Sequence, residues 1–172
     1  MVWRRVQAER ARGRAYQPHF HHWDVLLSWL GGLLAITLLG VISRWSQTPL
    51  VVAPFGASTV LLFGHPTSPL AQPRNIVAGN TLAALVSVSC VAGLGDAPWV
   101  MGLAVALSIT LGQLWRCLHP PAGAVALLGV LLKAEPAFVV MPILAGSLLL
   151  VAVAVLFSRL SRPATPYPQH WL

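Results

Sequence analysis

The sequence predicts an all-α protein: a polytopic transmembrane helical bundle of four full spans plus two short proline-broken half-helices. Three observations lead there. Of 172 residues, 56% are hydrophobic and only 9% are charged, with a mean hydropathy of +0.73, a balance typical of chains that live in lipid. Four stretches contain no Asp, Glu, Lys or Arg and are about long enough to cross a bilayer, namely residues 25–43, 76–95, 97–115 and 136–158. Between them lie two shorter apolar segments, 50–63 and 117–132, each carrying prolines that break a regular helix. The chain divides into a basic cytoplasmic N-terminal segment (1–23), a transmembrane domain (24–160) and a C-terminal tail (161–172).

The N-terminal segment carries Arg4, Arg5, Arg10, Arg12 and Arg14, then Pro18 and a His19-Phe20-His21-His22 cluster ahead of Trp23. It reads as an interfacial collar with Trp23 at headgroup level. No cysteine or carboxylate stands at a useful spacing from these histidines, so no metal site is expected. The apolar run that follows is of spanning length, which predicts a retained anchor and not a cleaved signal peptide. With Arg159 and Arg162 after the last span, the basic residues gather at segment ends and place both termini in the cytoplasm. A bacterial inner (plasma) membrane is the expected location. The net charge of +7 therefore does not point to nucleic acid.

Gly31, Gly32 and Gly40 in the first span admit a close neighbour. Arg44 and Trp45 close that span, and Thr48-Pro49 turns the chain into the first short segment. Residues 64–75, with three prolines, are expected outside any regular helix. The second span holds Asn80, Thr81, Ser87 and Ser89; an amide in an apolar helix usually faces other helices or a pathway. Cys90 and Cys117 read as small packing residues.

The stretch Cys117-Leu118-His119-Pro120-Pro121-Ala122-Gly123-Ala124 is the focus of the chain. The prolines predict extended backbone at His119 and Pro120 and a helix from Pro121 to about Leu132. The first amides of a helix that begins inside a membrane form a ready site for a small anion. A fainter copy at Ala53-Pro54-Phe55-Gly56-Ala57-Ser58 superposes after a shift of about 67 positions, Pro54 onto Pro121 and Gly56 onto Gly123, as in an internal repeat. If the short segments dip in and return, the chain crosses four times. If each crosses, it crosses six times, Arg74 and Arg116 join the cytoplasmic side, and the two halves form an inverted repeat. Six crossings fit the positive-inside rule better.

In these motifs the chain resembles the HPP family of integral membrane proteins. The resemblance rests on Ala53-Pro54-Phe55-Gly56-Ala57-Ser58, on Ser68-Pro69-Leu70-Ala71-Gln72-Pro73-Arg74-Asn75 and on His119-Pro120-Pro121-Ala122-Gly123-Ala124, in that order. Members from photosynthetic organisms have been linked to nitrite transport, which is the activity the resemblance implies. The expected substrate-binding residues are Gly56, Ala57, Ser58, Arg74, Asn75, Asn80, His119, Pro120, Pro121 and Gly123. Backbone amides at residues 56–58 and 122–124 would cradle the anion, Ser58 and Thr59 would add hydroxyls, and Arg74 would supply full charge beside the neutral donors Asn75 and Asn80. His119 reads either as a proton-coupled gate or as a structural partner for a carbonyl freed by the prolines. Arg74 reads equally as a snorkelling residue or a helix C-cap.

Asp24, Asp96 and Glu135 all lie at segment ends, so neither a carboxylate proton relay nor an enzyme is expected. No cofactor is expected. The partners expected are the lipid bilayer, a small anion and, for so small a bundle, a second copy of the chain.

Overall fold

The computed structural model describes residues 2–16, 19–163 and 165–171; Pro18 of the basic segment and Leu172 of the tail lie outside them. Among the described residues every regular element is helical. They are α1 (Val2–Tyr16), α2 (His22–Ser46), α3 (Ala53–Thr59, continued by a wider π turn Val60–Gly64), α4 (Pro73–Leu94), α5 (Pro98–Leu114), α6 (Pro120–Leu131) and α7 (Ala145–Ser161). The basic N-terminal segment, read above as a collar, is thus largely the helix α1.

Among the described residues three runs are long and apolar enough to cross a membrane: His22–Ser46, Pro73–Leu94 and Val139–Ser161. Ala53–Gly64, Pro98–Leu114 and Pro120–Leu131 are apolar but shorter. Three stretches, not four, therefore reach spanning length. The difference is α5, where Pro98 sets the first turn and the chain leaves the helix at Trp115. Its 17 residues rise about 26 Å against a core of about 30 Å. The last run is also interrupted, because Met141 is extended (φ −128°, ψ 120°) ahead of Pro142.

Side-chain ties fix the path. Leu50 N–H donates to Ser43 Oγ at one end of α2 and Ser28 Oγ donates to the Phe63 carbonyl at the other, so α3 runs back along α2. Arg74, in the first turn of α4, reaches the carbonyl of Trp115 at the end of α5. Asp96, between α4 and α5, pairs with Lys133 after α6 at 2.9 Å, which holds the Asp96 carboxyl below its usual range. Phe157 near the end of α7 meets Phe63 edge-on, 5.6 Å between centroids. The six apolar helices α2–α7 therefore alternate in direction. Those in matching places of the two halves, α2 and α5, α3 and α6, α4 and α7, run oppositely.

One end of this bundle is basic. All of the chain's 11 Lys and Arg except Arg44 and Lys133 sit there or on α1, which leads into it. Exposed tryptophans mark both ends, Trp23 and Trp115 at the basic end and Trp45 and Trp99 at the far one, the levels where indole rings favour the membrane interface. Between them Leu33, Leu34, Leu38, Ile109 and Leu148 stand exposed, as lipid-facing residues do.

Apolar burial drives helix association weakly in lipid, so close packing at small residues has to supply it. Phe63 packs over Gly31, Phe55 over Gly146, and Ser87 with Phe138 over Gly129. The tightest backbone approach is at Gly79 in α4, where an added Cβ would lie 2.5 Å from the Cys117 carbonyl oxygen and 3.0 Å from His119 Cβ. At Gly56 an added Cβ would meet nothing within 4 Å. Gly79→Ala is expected to destabilise by about 1–3 kcal/mol, since neither neighbour is a flexible side-chain tip. Gly56→Ala should be neutral or stabilise by up to about 1 kcal/mol. Thermal unfolding of both variants in detergent checks the contrast.

Candidate functional site

The site is built on the α5–α6 connection. Arg116, in the left-handed region (φ 54°), ends α5, with Arg116 N–H donating to Gln113 and Cys117 N–H to Gly112. This is the double closure that glycine usually serves. Cys117, Leu118 and His119 then run along α4 and α5, with Leu118 Cα packed on Gly112. His119 is extended (φ −133°, ψ 113°), and α6 starts at Pro120, one residue earlier than the proline rule placed it. Both prolines fit the first turn because neither has an N–H to leave unbonded.

The helix starts differ from expectation in a way that bears on anion binding. Pro120 and Pro121 offer no donor, and Ala122 N–H is already bonded to the His119 carbonyl. α3 begins at Ala53, so Ala57 and Ser58 lie in its second turn, where amides bond within the helix. Gly56 and Ala57 lie on the exposed face of α3, whereas Ser58 is buried. The backbone at residues 56–58 and 122–124 therefore does not form two open donor cradles. Thr59 Oγ1 is likewise taken, donating to the Phe55 carbonyl at 2.7 Å.

What converges instead is a set of side chains around His119, which is 1% exposed. Its Nδ1 lies 2.8 Å from the Leu70 carbonyl and its Nε2 2.8 Å from Ser58 Oγ. A carbonyl only accepts, so Nδ1 carries the proton in the neutral ring and the Ser58 hydroxyl donates to Nε2. The imidazole thus joins α3, the short turn Pro69–Ala71 and the start of α6.

α4 grips the same connection. The sequence placed Pro73, Arg74 and Asn75 outside any helix; they form its first turn, because Pro73 occupies a helix-start position. Asn75 Nδ2 donates to the Leu118 carbonyl at 2.8 Å. Arg74 Nη2 donates to the Trp115 carbonyl at 2.9 Å, the C-capping role, and its side chain stays exposed. Just beyond Gly79, Asn80 is fully buried and its Nδ2 donates to Ser147 Oγ of α7 at 3.1 Å. Among the described residues neither Asn80 Oδ1 nor Thr81 Oγ1, both buried, has a hydrogen-bond partner.

Of the expected residues the structure brings together Ser58, Asn75, His119 and Pro121, with Asn80 deeper in the bundle. It leaves Gly56, Ala57 and Pro120 exposed. Gly123 has only Val105 near its open side. Ser147, Gln72 and Arg116 were missed. Ser147 had a signal, as a hydroxyl within the last apolar run. Arg116 lines a hollow of about 340 Å³ at the basic end with Asn75, Gln113, Leu118 and His170.

Together these features define a multi-pass helical membrane protein with a histidine-centred polar knot at a proline break. The profile described as the HPP transmembrane region matches residues 17–168, and the chain belongs to the HPP family. Two transmembrane proteins of Dictyostelium discoideum are similar to it. One is 35% identical over 156 residues, covering 84% of this chain and 54% of the relative. The other is 33% identical over 158 residues, covering 87% and 50%. The chain thus spans about half the length of the curated relatives it matches. No solved structure matches it.

Removing the Ser58 hydroxyl leaves His119 Nε2 buried without a donor, a loss of about 1–3 kcal/mol. Ser58→Ala is expected to show that loss in detergent unfolding. Thr59→Ser, which keeps the bond within its own helix and removes one buried methyl, should cost less, up to about 1 kcal/mol.

Proposed function

We propose that this protein passes a small monovalent anion through its bundle, with nitrite the candidate suggested by the family resemblance. The observation that carries the reading is the Asn80 amide, fully buried, bonded to Ser147 on one side and without a partner on the other. An unmet polar group in a membrane interior is costly, and such groups tend to mark pathways. Thr81 adds a second unmet atom beside it. The Thr81 hydroxyl can donate to an anion, and the Asn80 oxygen can accept from water that travels with it.

Charge supports an anion over a cation. Arg74, Arg116, Arg159 and Arg162 outnumber Asp24 at the basic end, whereas at the far end Arg44 and Lys133 balance Asp96 and Glu135. A basic mouth raises the local concentration of anions, and a neutral interior lets them leave again. In this reading the six alternating helices each cross the bilayer as an inverted repeat, with the basic end in the cytoplasm. The bacterial inner membrane expected from the sequence fits that orientation. The protein acts as a carrier or channel and not as an enzyme.

A second reading is a structural or partner-binding membrane subunit. It is favoured by the degree to which the knot is already bonded internally, Arg74 included.

The test is uptake of nitrite, with nitrate, formate and chloride as comparisons, into liposomes holding the purified protein. Asn80→Leu is expected to lower saturable nitrite entry at least about tenfold, equivalent to about 1.4 kcal/mol. Arg116→Gly suits the left-handed backbone while removing the charge, so it should raise the half-saturating concentration and leave folding intact. Folded protein that moves none of the four anions would refute transport of these ions and favour the subunit reading.

A further inference from the structure

The tail was expected to be a separate terminal segment, and the structure ties it into the bundle. α7 ends at Ser161, and Arg162, in the left-handed region (φ 47°), turns the chain back. Tyr167 then inserts to 5% exposure. Its N–H donates to Ser158 Oγ at 2.8 Å and its hydroxyl to the Ala71 carbonyl at 3.0 Å. Burial pushes the phenol well above its usual range, so the hydroxyl stays a donor. Gln169 N–H donates at 2.9 Å to Oε1 of the fully buried Gln72, whose Nε2 donates to the Pro66 and Ser68 carbonyls. His170 then borders the hollow lined by Arg116, Asn75 and Leu118.

These anchors fall on chosen ground. Ala71 and Gln72 directly follow Leu70, whose carbonyl holds the His119 ring. A segment that follows the last helix is held in place only where specific bonds tie it down. This one is bonded to the loop that carries the histidine's partner, and His170 near its end borders the hollow beside it.

We propose that residues 165–171 form a strap that covers the hollow at the basic end and pins the 66–72 loop against His119. A few hydrogen bonds and one aromatic ring hold it, so it can open without unfolding the helices beneath. The covering itself does not depend on transport; only its expected effect on flux rests on the reading above.

The experiment measures thiol labelling of the full chain in lipid nanodiscs, with Cys90→Ala and Cys117→Ala to remove native thiols and Leu118→Cys to report on the hollow. A charged, water-soluble thiol reagent is the probe. Adding Tyr167→Ala should raise the labelling rate at least about fivefold. Tyr167→Phe keeps the ring, removes only the bond to Ala71, should give about a twofold rise, and decides the matter if the alanine variant fails to insert. Labelling unchanged in the folded variants overturns the proposal. In the liposome assay the released strap should raise nitrite flux. Faster labelling with no flux in any variant keeps the strap and removes the transport reading.

Discussion

The rest of the structure depends on one buried imidazole with both nitrogens engaged. His119 cannot satisfy a carbonyl on one side and a hydroxyl on the other unless α3, the Pro69–Ala71 turn and the start of α6 all keep their places. The Leu70 carbonyl is left free to accept from the ring, because prolines at 69 and 73 confine the local helix to one short turn and Pro73 has no N–H to offer it. A freed carbonyl shut away from water needs a donor. The histidine is that donor, and the double proline after it fixes the backbone that carries the ring. Proline breaks and histidine are therefore parts of one device.

Around that device α4 acts as the central strut, packing on α5, α6 and α7. Its first turn holds the α5–α6 connection through Arg74 and Asn75, and Gly79 lets that connection lie against its backbone. Asn80 then turns to α7. The polar residues of one helix thus tie it to two different neighbours at successive depths. Such ties are individually modest, about 0.6–2 kcal/mol in membranes, and they specify arrangement as much as they stabilise it.

Arg74 shows how a full charge beside a motif misleads when read alone. The sequence places it next to the polar cluster, and so does the structure, but its guanidinium points to the open end of α5. A helix C-terminus attracts a cation whatever the ligand chemistry nearby. Arg116 stands closer to the opening, yet in the sequence it reads only as the end of a span. Neither its left-handed backbone nor its place beside the hollow can be read from residue order.

Class, family and the places where helices break are legible in the order of residues. Hydrophobicity, charge at segment ends and proline act locally, so they can be read from the residue types in order. His119, Ser58, Asn75 and Asn80 were also legible, because a polar residue in an apolar segment is conspicuous. Which of them meet is set by packing between distant segments, since Ser58 and His119 are 61 positions apart and Asn80 and Ser147 are 67 apart. The tertiary structure also shows that Gly56 faces outward, that the helix starts hold few free donors, and that the tail returns to Ala71 and Gln72. Those outcomes turn on a one- to three-residue shift in where a helix begins and on contacts between distant segments, neither of which a local pattern encodes.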